Sequence, residues 1–288
     1  MKITIILSTL FLLTTTISCS SDAGDVKSEK GSATIVQDTV VTNEKDPKEL
    51  LNEAYQLFKE GNDSASIEIA NKVLAVGYAS HNDTLIGGAL ASLCRNSQRS
   101  QDTVRLAELS EELAALATTS GNQKWMMIRA HMNAEMWRLI GNMDRAEAFY
   151  NESMEISFAI NSMGMYTIDH FNKSFVSTAK GDFVEARRLI KKYYALREEA
   201  DPGSEDAYGL IALSYLLEQE GNYKGAHEVA VVTRRLFQEQ NLFPEPPDEK
   251  PLIMVEEKVK EELEPEIYEA VKSDAADESV STLIAKYL

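Results

Sequence analysis

The stretch AEMWRLIGNMDRA, residues 134–146, decides the fold. Its pattern returns 40 residues later as SFVSTAKGDFVEA (174–186) and again as SYLLEQEGNYKGA (214–226). Each copy opens on a small residue, reaches a glycine followed by Asn or Asp, and closes on Ala. Followed outward, the small column reads Ala54, Cys94, Ala134, Ser174 and Ser214, and the turn column reads Gly61, Gln101, Gly141, Gly181 and Gly221. Asn62, Asn142, Asp182 and Asn222 follow the glycines. Glycine ends a helix by accepting a left-handed backbone, and a short polar residue after it suits the cap of the next helix. A fixed period of this length predicts an all-α repeat array, in which each unit buries its apolar face on its neighbours.

Five helix-turn-helix units are expected over residues 47–243. The first helices fall near 47–60, 85–99, 124–140, 164–180 and 205–220, and the second helices start near 64, 102, 144, 184 and 224. A second small column, Ser66, Ala146, Ala186 and Ala226, lies early in the second helices. The second unit diverges, with Gln101 at its turn, Leu106 in the second small slot and Ser97, Ser100 and Ser110 where bulk would help. Leu106, Leu109, Leu113 and Leu116 nevertheless keep helical spacing there. Pro244-Glu245-Pro246-Pro247 breaks the register. Beyond it Leu252, Val255, Val259 and Leu263 recur at helical spacing, as do Val280, Leu283, Ile284 and Tyr287. Residues 244–288 are expected to form acidic helices that cap the array with a polar outer face, the alternative being a partner-binding tail.

These columns resemble the tetratricopeptide repeat, in a long form of 40 residues instead of the usual 34. The resemblance implies a right-handed superhelical solenoid of about five repeats with C-terminal capping helices, whose first helices line a concave, protein-binding face. On that register one column runs Leu51, Ala91, His131, Phe171, Ile211, the next Tyr55, Arg95, Glu135, Phe175, Tyr215, and a third Phe58, Gln98, Arg138, Thr178, Glu218. The groove would then be aromatic and aliphatic in its C-terminal half, through Phe171, Phe175, Tyr208, Ile211 and Tyr215. Its middle would carry Arg95, Arg99 and Arg138. Aromatic residues beside arginines dominate binding energy at interfaces, although the same faces could be core between repeats. Carboxylate-binding members of the family use Lys, Asn and Arg in these columns. Leu51, Tyr55, Ala91 and His131 depart from that pattern, so capture of a C-terminal peptide is not implied.

Charge and address bound the function further. Of the formal charge of −17, residues 244–288 carry −8, from 13 acids against 5 bases. So acidic a chain is unsuited to wrapping nucleic acid or docking on anionic lipid. Lys2 and the apolar run Ile3–Ile17 form a signal segment over residues 1–18, too short for a comfortable membrane span. Thr16-Ile17-Ser18-Cys19 resembles the lipobox of bacterial lipoproteins, with Thr16 in place of the usual Leu, and so implies lipid on Cys19. Residues 19–46 are polar and charged and read as a disordered tether with an end-to-end distance of roughly 30 Å. Asp22 and Asp25 resemble the acidic stretch of surface-exported lipoproteins of the Bacteroidetes type. The expected location is the outer membrane, facing the periplasm or the cell surface, with lipid as the sole membrane contact.

Catalytic and metal motifs are missing. His81, His131, His170 and His227 form no HExxH pair and lie at no metal-ligand spacing. Cys94 is the only cysteine besides Cys19, which excludes a disulfide framework, and its column predicts a buried core thiol. No phosphate-cradling glycine motif occurs, and Gly87-Gly88 is read as tight packing. Met126, Met127, Met132 and Met136, near Trp125 and Trp137, read as core packing. No enzyme, cofactor or metal is therefore expected. The reading is a lipid-anchored adaptor or scaffold that binds a protein or peptide. The alternatives are an outer-membrane assembly factor, the sensory part of a signalling system, or an accessory to carbohydrate uptake.

Overall fold

The computed structural model describes residues 45–288 apart from 243. The signal segment, Cys19 and nearly all of the tether lie outside the described residues. Ten α-helices form five antiparallel pairs: α1 (Pro47–Lys59) with α2 (Asp63–Ala79), α3 (Asp83–Arg99) with α4 (Thr103–Ser120), α5 (Gln123–Ile140) with α6 (Met143–Ala159), α7 (Met163–Ala179) with α8 (Phe183–Ala200), and α9 (Ala207–Gln219) with α10 (Tyr223–Glu239). Three more follow: α11 (Pro246–Glu262), α12 (Pro265–Asp274) and α13 (Val280–Tyr287). The divergent second unit is fully helical, starting two residues earlier than the spacing suggests.

The turns explain the regularity. Left-handed backbone falls not only at Gly61, Gln101, Gly141, Gly181 and Gly221 but also at His81, Gly121, Asn161 and Asn241 between units. The 40-residue repeat is thus two arms of equal length. At most turns the next residue serves two helices. Asn62 donates its N–H to the Leu57 carbonyl, closing α1 at 2.8 Å, while its side chain accepts from Ala65 N–H and opens α2. Asn82, Asp102, Asn142, Asp182 and Asn222 act in the same way. Each such cap contributes about 1 kcal/mol. Between α8 and α9 the rhythm fails, because Pro202 cannot continue the pattern and α9 starts only after its Asp206 cap.

Both small columns form the seams between paired helices. Ala54, Cys94, Ala134, Ser174 and Ser214 are all fully buried, as are Ser66, Ala146, Ala186 and Ala226. Leu106 is also fully buried in its departing slot. Cys94 is a core side chain, and its burial pushes the thiol up to about 12. At Gly87 a Cβ would lie 2.3 Å from the Trp125 ring, and at Gly88 2.7 Å from Leu51, so this pair lets α5 and α1 approach α3. Trp125, Met127, Met132 and Met136 are core.

Successive first helices α1, α3, α5, α7 and α9 pack on one another in turn, whereas α2, α4, α6 and α8 pack chiefly on first helices. The first helices therefore line the short, inner side of the curve. α11 continues their row on α9 and α10, burying Leu252, Val255 and Val259, and it also reaches α3 across the curve. α12 and α13 close over α10, with Tyr268 stacked on His227 at 4.0 Å and Tyr287 against Glu228. The C-terminal helices cap the solenoid.

Candidate functional site: the inner face

The eleven expected groove residues do lie on the inner-face helices, but they divide by burial. Phe171, Phe175 and Ile211 are 7%, 4% and 0% exposed and belong to the largest core cluster, with Leu210, Leu213 and Tyr193. This corrects the expectation of an aromatic C-terminal groove. Here α8, α9 and α11 converge and use these side chains as packing, and Tyr208 and Tyr215 keep only partial exposure against the same core. Phe58 and His131 are also buried. Tyr55, Arg95, Arg99 and Arg138 remain partly exposed.

A buried polar network floors the middle of the face. Glu135, fully buried, accepts hydrogen bonds from Arg138 at 2.6 Å, from Gln98 at 2.9 Å and from the Tyr150 hydroxyl. Burial alone would raise the Glu135 carboxyl, but Arg138, His131 and these hydrogen bonds hold it below its ordinary range. His131 Nδ1 lies 2.7 Å from Asp169 Oδ1, and burial raises the Asp169 carboxyl despite the imidazole. His170 turns away and bonds the Tyr166 carbonyl of its own helix at 2.7 Å, so the two histidines do not converge. His81 sits in a turn and His227 under the cap. Among the described residues no group of three or more His, Cys, Asp or Glu side chains is placed to hold a metal ion. No described helix is long and apolar enough to cross a membrane.

The arginines have different partners. Arg99 lies 3.5 Å over the Phe58 ring, pairs with Asp63 of α2 at 2.8 Å and reaches Glu245 at 3.2 Å. Arg138 stands 3.8 Å from Asp248 in the first turn of α11. Burial pushes the Asp248 carboxyl up to about 7, with Glu135 and Glu245 adding to the rise and Arg138 and His131 opposing it. Arg95 makes no ion pair among the described residues. Its guanidinium lies 5.3 Å from the Tyr55 ring, and burial disfavours its charge. Lys124, at the start of α5, is depressed first by its partial burial and then by Arg95.

Sequence reasoning did not single out Glu245, Asp248 or Lys124. The first two meet their arginines from 146 and 110 positions away, a separation that periodicity does not register. Lys124 holds the second position of α5, as Lys48 does in α1, so its place in the repeat gave no signal of its own.

No family model matches the chain, and no curated protein does. Among solved structures it is similar to a Podosopora anserina chain of nearly identical TPR-like repeats, at 15% identity, covering 69% of this chain and 99% of that one with a TM-score of 0.47. A variant of that protein is 14% identical over the same shares, with a TM-score of 0.48. BtubC from P. vanneervenii is 15% identical, covering 69% of this chain and 92% of its own, with a TM-score of 0.48. The paired helices, small-residue seams and inner row of first helices define a tetratricopeptide-like solenoid. It is the long form, with 40-residue units and left-handed turns at half that interval. Arrays of this class use their concave surface for protein–protein interaction.

Proposed function

We propose that this protein is a lipid-anchored adaptor of a bacterial outer membrane that holds a protein partner on the inner face of its array. The observation that carries the reading is the partly exposed N-terminal half of that face, where Tyr55 and Arg95 stand beside Arg99. Aromatic and arginine side chains of this kind supply most of the binding energy at protein interfaces. The anchor rests on the lipobox-like residues ending at Cys19.

Pull-down from membranes with tagged protein tests the reading. Tyr55→Ala/Arg95→Ala is expected to lose a partner that the wild type retains, with an unchanged melting curve. A partner retained by that variant would overturn the inner face as the working surface. Cys19→Ser is expected to release the protein from the membrane fraction, and a variant that stays there would remove the lipid anchor.

A further inference from the structure

Two carboxylates of the chain's own C-terminal segment occupy arginines of the inner face: Glu245 on Arg99, and Asp248 beside Arg138. Glu245 precedes α11 in extended backbone, and Asp248 lies in the first turn of that helix, behind Pro246 and Pro247. The helix beyond this turn is held by Leu252, Val255 and Val259, buried where it packs on α9 and α10. Glu245 can therefore leave Arg99 without unseating α11.

One turn before Arg99 on α3, Arg95 has no carboxylate within ion-pair distance among the described residues, and its guanidinium lies beside the Tyr55 ring. An unpaired, partly exposed guanidinium stands out in a chain of formal charge −17. Arginine also prefers planar, bidentate carboxylate partners, and Tyr55 walls the site on one side.

Resting on the reading of the inner face as a partner surface, we propose that an acidic segment of the protein partner docks on Arg95 and competes with Glu245 for Arg99. Glu245 is the chain's own stand-in for that ligand on Arg99. The site thus suits a partner with carboxylates spaced to meet Arg95 and Arg99, one helical turn apart on α3.

The probe is a fluorescein-labelled peptide with two tandem copies of the chain's own residues 244–249, titrated into the full-length protein and followed by anisotropy. Glu245→Gln/Asp248→Asn is expected to bind it about fivefold more tightly than wild type. Adding Arg95→Gln to that variant is expected to weaken binding about tenfold, with melting curves confirming that each variant is folded. Equal affinity in wild type and the double variant overturns self-occupancy, and indifference to Arg95→Gln overturns the site. Full displacement of the peptide by inorganic phosphate would mark a free-anion site and overturn its assignment to a protein segment. Dimerisation of the double variant would show a second copy as the occupant and overturn it likewise. If Tyr55→Ala/Arg95→Ala loses its membrane partner while the peptide fails to distinguish wild type from the double variant, the adaptor reading stands and only the stand-in falls.

Discussion

The two halves of the inner face start from the same register and end differently. Tyr55 and Phe175 occupy the same column on α1 and α7, yet Tyr55 keeps exposure while Phe175 is sealed against Phe171 at 5.0 Å and Tyr215 at 6.0 Å. The difference lies in what stands opposite. The C-terminal half is crowded by α9, α10 and α11, so its aromatics become core, whereas among the described residues α1 packs chiefly on α2 and α3. A column assignment therefore gives the direction of a side chain but not its fate. In a curved array, fate depends on how tightly the curve closes at that point.

Substitution separates the two halves most strongly. Phe175→Ala should cost about 3–5 kcal/mol by loss of contact and cavity formation, while Tyr55→Ala should cost under about 1 kcal/mol. Urea unfolding measures both, and similar values would erase the distinction between core half and open half. Gly87→Ala tests the approach of α5 to α3 that shapes the open half. Its Cβ would collide with the Trp125 ring, so a loss of about 1–3 kcal/mol is expected, and a neutral result would show that Trp125 moves freely.

Acidity sharpens the border between the halves. A carboxyl whose folded pKa lies above its unfolded value contributes stability that is full at low pH and lost as pH rises through the folded pKa. For Asp248, raised from 3.8 to about 7, the loss falls between those values. Asp248→Asn should accordingly match wild type in melting temperature near about pH 4 and gain on it progressively up to about pH 8. A gap that stays constant across that range would mean the Asp248 carboxylate is well solvated. The smallest effect is expected outside the face. Gln101 holds a left-handed backbone at φ 57° where the other units have glycine, so Gln101→Gly should stabilise by up to about 1 kcal/mol in thermal unfolding.

Much of the fold was legible because it is built from local rules repeated at a fixed interval. The small columns mark the seams, as their complete burial shows, and the glycine column marks the turns within units. The turns between units escaped because no single residue type marks them: His81, Gly121, Asn161 and Asn241 share a backbone conformation rather than an identity. Asn82 and Asn122, caps in phase with Asn62 and Asn142, carried the missing signal. Of the site, the positions of Tyr55, Arg95 and Arg99 on first helices were legible, but the burial of Phe171 and Phe175 was not. Their surroundings depend on α11, whose position follows from the whole curve. The pairing of Glu245 with Arg99 has the same origin.

Arg99 touches more of the molecule than any groove role requires. Its guanidinium meets the Phe58 carbonyl at the end of α1, Asp63 at the start of α2 and Glu245 ahead of α11. A stack of repeats held only by neighbours can unravel from an end, layer by layer. A side chain that fastens the first layer to the last turns that open stack into a ring, which must first be unhooked. Hydrogen exchange in such a ring is expected to rise in all layers together, and in an Arg99→Ala ring it should begin at α1 and travel inward.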